Sequence, residues 1–269
     1  MSLLFRDRLY VALSGERIAL ARVGRRRGAG IVASHVEPVA RHDLEGVRDV
    51  LGPLLSEPRW SQSSVHVLLS NTLVRYAFLP SSDAIVSAQD EHALAAHKIR
   101  QTHGGAAADW EIRLGNSLLD GDQPAAAFDA GFIAALKEQL RSAKLSLGSI
   151  EPFFMHAYNQ SRARLPGGGF WFVNAEPGAM VLARIEAGRW RSFTACRAGS
   201  DPGAQLGSRL REAALLADAP LEAASIYVHA PAIAGDALRI GGHDMVNLCN
   251  SADAGRNAVA HACALHLGV

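Results

Sequence analysis

The chain has 269 residues, 49% of them apolar and 20% charged, with a formal net charge of +1. This supplies a core for one large domain or two joined halves, and the near-neutral charge excludes an electrostatic footprint for nucleic acid. The cysteines Cys196, Cys249 and Cys263 are far apart and outside any CxxC spacing, which excludes a disulfide framework and fits a reducing compartment.

The opening "MSLLFRDRLYV" has no apolar run of signal-peptide length. No stretch approaches the ~18 apolar residues that a membrane span needs. The expectation is a soluble, cytoplasmic chain.

Three strands open the chain, at about 9–13, 17–23 and 30–36, the last two joined by "GRRRGAG". Glycines flanking charge mark a hairpin tip, and Arg25, Arg26 and Arg27 read as its solvated end. Asp43 caps a helix whose stripe is Leu44, Val47, Val50, Leu51, Leu54 and Leu55, with Pro53 in its last turn. "SSVHVLLS" is the next strand, so the first ~70 residues read βββαβ.

A different unit follows. "TLVRYAFLP" is a strand ended by Pro80, and Ser81, Ser82 and Asp83 are read as the cap of a helix reaching Thr102. "ADWEIRLG" and "PAAAFDA" read as two strands around "LLDGDQP". Phe132, Leu136 and Leu140 then stripe a further helix. "LGSIEPFF" leads out of this α+β insert.

After "GGGF" the opening order returns. Strands are expected at 170–174, 179–185 and 189–196, a helix from Asp201-Pro202, and a strand at "ASIYVHA". "GGHDM" reads as a loop, and a last helix is expected at about 251–267. Leu20-Ala21-Arg22-Val23 and Leu182-Ala183-Arg184-Ile185 match at a constant offset of 162. The chain is therefore read as two βββαβ halves, with an insert in the first.

This layout resembles the actin-like ATPase superfamily, a duplicated, ribonuclease H-like α/β core that holds nucleotide between its halves. "VRYAFLPSSDAIVSAQDEHALAAHKI", "FIAALKEQLRSAKLSLGSIEPFF" and the closing "NAVAHACALHLGV" resemble its PilM branch, whose architecture GspL and MshI share. The resemblance implies a first subdomain at 1–72 plus 150–166, an insert at 73–149, a second subdomain at 167–250 and a terminal helix at 251–269. It also implies a cytoplasmic scaffold at the inner membrane, with peripheral membrane association open. The implied partner is the N-terminal peptide of a PilN-like bitopic protein or a secretion ATPase. That peptide adds near "VRYAFLP", making Tyr76, Phe78 and Leu79 candidate contacts.

In such folds both hairpin turns approach phosphate. An Asp near the end of the first strand serves the hydrated metal ion, and a Gly two residues later admits the phosphate. At the offset of 162 the Asp positions are Ala12 and Asn174, and the Gly positions are Ser14 and Glu176. Glu176 opposes phosphate: two like charges at ~4 Å repel by about 4 kcal/mol at an effective dielectric of ~20. Gly15 and Gly178 remain in the turns. The third, adenosine-receiving turn reads "HAPAIAGDA", with Pro231 in it. ATP with Mg²⁺ is disfavoured as a cofactor, leaving a pseudo-ATPase as the first reading and an ATP-dependent switch as the alternative.

No GxSxG, Walker A, GxGxxG after a strand, or HExxH occurs. His92 and His97, like His261 and His266, are spaced by five. A helical metal pair needs three or four.

Overall fold

The structure is a computed structural model. It describes residues 7–24, 30–41, 43–82, 85–115, 121–221, 224–231, 233, 237–240 and 243–249. Arg25 to Arg27, Asp83 and the expected terminal helix lie outside them. The fold is mixed α/β and divides into two compact units.

The first unit is built on β1 (Asp7–Leu13), β2 (Arg17–Val23), β3 (Ile31–Pro38), α1 (Leu44–Leu55) and β4 (Ser63–Leu69). α1 starts as the sequence predicts: the Asp43 side chain accepts from the Gly46 N–H. Gly46 is required there, because a Cβ would lie 2.2 Å from the Arg41 carbonyl oxygen. Pro53 sits inside the last turn, and the helix ends two residues later.

The second unit holds the insert strands β5 (Arg75–Leu79), β6 (Trp110–Leu114) and β7 (Gln123–Asp129) with the helix α2 (Ala88–His103). α2 is capped by Ser87, whose side chain accepts from Asp90 N–H. The expected cap at Ser81, Ser82 and Asp83 is too early. Ile85 sits in the insert core with Leu79, Ala95 and Ile99, two residues before the cap.

α3 (Ala130–Ser142), β8 (Ser146–Pro152) and α4 (Phe153–Ser161) return to the first unit, apart from their terminal residues Ala130 and Ser161. "LGSIEPFF" is thus a strand running into a helix. The first sheet has the order β3-β2-β1-β4-β8, with β1, β4 and β8 parallel.

The remainder of the second unit contains β9 (Phe170–Glu176), β10 (Ala179–Glu186), β11 (Arg189–Arg197), α5 (Pro202–Leu216), β12 (Ser225–His229), β13 (Ala237–Ile240) and β14 (His243–Asn247). Its larger sheet runs β11-β10-β9-β12-β14-β13. "GGHDM" was expected as a loop, yet His243, Asp244 and Met245 lie in β14, which pairs with β12 and β13. α5 is capped by Asp201, with Pro202 in its first turn.

The compact units cut the chain elsewhere than the sequence boundaries. α3 and β8 fall in the first unit, and the insert sheet β5-β7-β6 falls with the second large sheet. Each sheet has its own core. Ala12, Ala19, Leu68 and Phe153 cluster in the first. Trp171, Leu182, Leu206 and Leu210 cluster in the second. Fully burying a side chain such as Leu182 contributes roughly 1.5–3 kcal/mol.

Candidate functional site

The residues predicted to mark a nucleotide site sit on two hairpins, one in each unit. In the first, β1 and β2 pair antiparallel with Ala12 opposite Ala19 and Leu13 opposite Ile18. Ser14, Gly15, Glu16 and Arg17 make the turn. The Ser14 N–H donates to the Arg17 carbonyl at 2.9 Å. The Ser14 Oγ accepts from the N–H of Arg17 at 3.0 Å and of Glu16 at 3.3 Å, and its hydroxyl donates back to the Arg17 carbonyl at 3.1 Å. One hydroxyl thus occupies two of the backbone donors that a phosphate would need. Ala12 is fully buried among Ala19, Ala21, Leu68 and Phe153, where a carboxylate would lose its hydration without a partner.

In the second hairpin Asn174 is opposite Val181 and Glu176 opposite Ala179. Each pair of the first hairpin, from Arg8↔Val23 to Leu13↔Ile18, recurs 162 residues later, so the letter repeat is also a repeat of register. Gly178 adopts φ of 86°, the left-handed conformation that favours glycine. Its N–H donates to the Gly199 carbonyl at 3.2 Å, and its own carbonyl accepts from Ala198 N–H at 3.1 Å. The chain beyond β11 therefore closes this turn.

Asn174 is fully buried. Its Nδ2 donates to the His229 carbonyl at 3.1 Å and lies 3.3 Å from His229 Nδ1. The two residues are register partners on the parallel strands β9 and β12. The amide thus ties two strand ends together. His229 carries no motif spacing in the sequence; the signal was its place at the end of the apolar run "SIYVHA". Pro231 is buried just beyond, in the turn where Ile233 N–H donates to the Ala230 carbonyl at 3.0 Å.

Glu176 is 1% exposed. Burial, and then the charge of Glu176, push the Tyr76 phenol well above its ordinary value. Tyr76 is buried, with its ring 5.3 Å from that of Phe193 on β11. Leu79 is buried in the insert core, and Phe78 is half-buried. Among the described residues β5 is an edge strand of its sheet, pairing there with β7. His92 and His97 are both exposed on α2. No group of three metal-ligating side chains occurs among the described residues.

No protein-family model matches the chain, and no curated protein matches it. Solved structures do. A Bacteroides thetaiotaomicron protein described as having an actin-like ATPase fold and unknown function superposes with a TM-score of 0.60 at 11% identity, over 84% of this chain and 82% of that one. The PilM–PilN type IV pilus biogenesis complex gives 0.58 at 14% identity, over 84% and 81%. The cytoplasmic domain of EpsL, an inner membrane component of the Vibrio cholerae type II secretion system, gives 0.53 at 13% identity, over 82% and 81%. The chain has the actin-like ATPase fold. Among the described residues no helix is long and apolar enough to cross a membrane.

Proposed function

We propose that this chain is a non-catalytic scaffold of a type IV pilus or type II secretion platform, working at the cytoplasmic face of the inner membrane. It docks a short cytoplasmic peptide of a membrane-anchored partner of the PilN kind. The fold likeness to PilM in its complex and to the EpsL cytoplasmic domain supports the setting.

The observation that carries the non-catalytic half is the closure of both hairpin turns. The Ser14 hydroxyl holds two turn donors, and Gly199 takes the Gly178 N–H. Ala12 and Asn174 stand where carboxylates would serve a metal ion, and Asn174 is spent on His229. A triphosphate would have to break these bonds before making its own.

The docking half uses the edge strand β5. An extended peptide adds to a sheet edge through backbone hydrogen bonds, and side-chain pockets set its specificity. Tyr76 and Leu79 hold that strand in place, and Phe78 is the partly open side chain beside the peptide.

Calorimetry with N-terminal peptides of bitopic proteins encoded beside this chain tests the reading. Saturable binding that weakens on Phe78→Ala is expected, and silence from every such peptide would overturn it. Thermal unfolding with millimolar Mg-ATP tests the other half. No change in Tm is expected, whereas a nucleotide at 100 times its Kd would add ~2.7 kcal/mol and restore the ATP-dependent reading.

A further inference from the structure

One face of the first sheet carries a row of polar side chains that the proposed function does not use. Tyr10 on β1 and His66 on β4 are register partners, and their rings stack with centroids 5.3 Å apart. His66 stands opposite Ser149 on β8, and its Nδ1 lies 3.0 Å from Ser149 Oγ. His156 on α4 meets Tyr10 edge-on at 6.5 Å, and its Nδ1 lies 3.3 Å from Glu151 Oε2 on β8. His156 is 5% exposed, and its Nε2 has no hydrogen-bond partner among the described residues.

The seat of His66 is built into the backbone. A Cβ on Gly148 would come within 2.8 Å of His66 Cε1 and 2.9 Å of Ser64 Oγ. The glycine admits the ring against β8. Two imidazoles therefore gather around one carboxylate, one in direct contact and one through a serine hydroxyl.

We propose that His66, His156 and Glu151 form a proton-controlled latch that holds α4 on β8 while the His66 imidazole is neutral and releases it when His66 takes up a proton. The groups facing it are Arg8 and Tyr10 from β1, Ser64 from β4 and Ser149 from β8. Glu151 is already engaged by His156, and a proton on His66 would add a positive charge facing Arg8 with no further acid among these groups.

Burial, and then Arg8, hold His66 below its ordinary value of 6.5, with His156 adding in the same direction and Glu151 opposing. Glu151 is held below 4.5, chiefly by its hydrogen bond with His156 and also by Ser149. The signs follow. A closed state whose His66 resists protonation is favoured above the ordinary histidine value and loses stability as pH falls through it. The depressed Glu151 adds a second loss as pH falls through the ordinary glutamate value. The chain passes from the first unit to the second at the end of α4, as it also does after Leu73, so release of α4 is a local event with a defined place.

Amide hydrogen exchange on the full chain, from about pH 7.5 to about pH 5 across the ordinary histidine value and corrected for intrinsic rates, reads the latch. The protection of α4 should fall several-fold relative to α5. That fall should disappear in His66→Gln, which keeps a hydrogen-bonding group beside Ser149 and removes the titrating charge. Protection of α4 that ignores pH, or the same fall in His66→Gln, would overturn the proposal. A measurement without a variant covers a misfolded mutant. The NMR titration of His66 should lie below that of a free histidine, and a value at or above it sinks the latch.

Discussion

At the corner of the first hairpin a serine hydroxyl gathers the turn's own N–H groups. At the corner of the second, a glycine bonds to the chain beyond β11 while a glutamate lies buried beside Tyr76. The two corners share one register at the offset of 162. In both, a turn carbonyl accepts from the chain just past the third strand, Glu16 from Val39 N–H and Gly178 from Ala198 N–H; they differ in the turn's donors, which Ser14 holds locally in the first and Gly199 takes in the second. A common backbone can thus keep its shape while its donors are reassigned, because register depends on strand pairing and donor use depends on the corner residues.

The hardest test of the shared backbone is at Leu20 and Leu182, both buried and one offset apart. Each Leu→Ala change should cost ~2–5 kcal/mol by urea unfolding. A cost under about 1 kcal/mol at one site would break the equivalence of the hairpins. Next is the strand tie that only the second hairpin has. Asn174→Ala removes the donor to His229 and should cost about 1–3 kcal/mol, whereas Ala12→Ser, at the matching position, should show no gain from a new tie.

The corners themselves should give smaller effects. Gly178→Ala must place a side chain at φ of 86° and should cost about 1–2 kcal/mol. Ser14→Ala frees one exposed and one half-buried turn donor and should cost about 0.5–1.5 kcal/mol. If Ser14→Ala also produced a Tm rise with Mg-ATP, the hydroxyl would be the barrier to phosphate. The smallest effect is alkaline. The Tyr76 phenol keeps its proton longer when folded than when unfolded, so stability should decline as pH rises past its ordinary value of 10.0. Tyr76→Phe should lessen that decline, and an unchanged alkaline profile would remove Glu176 from the seam with β5.

Much of the fold was legible from one chain. The α1 cap at Asp43, the α5 start at Asp201-Pro202 and the edges of β2 and β4 appear where the residues put them. β8 was not legible, since "SLGSIEP" has a glycine, a proline and little alternation; its pairing with β4 makes it a strand. The sequence points to Ser81, Ser82 and Asp83 rather than Ser87 as the α2 cap, because local spacing alone does not reveal that Ile85 must reach a core. β14 was hidden by "GGHDM", where glycines suggested a loop.

The candidate positions were legible as letters and not as contacts. The resemblance implies that Ala12, Ser14, Asn174 and Glu176 stand at the metal and phosphate positions of such folds, and the offset of 162 gives their letters. Their present partners follow from neither. Ser14 acts over three residues, within reach of local turn chemistry. Asn174 meets His229 across 55 residues, and Glu176 meets Tyr76 across a hundred in sequence. By itself the sequence determined periodicity, caps, the repeated hairpin and the residue types at its two corners, because those depend on neighbours along the chain. Only the tertiary structure decided which strands lie side by side, which polar groups are buried and where their hydrogen bonds go. Distant segments share those contacts, and no local pattern encodes them.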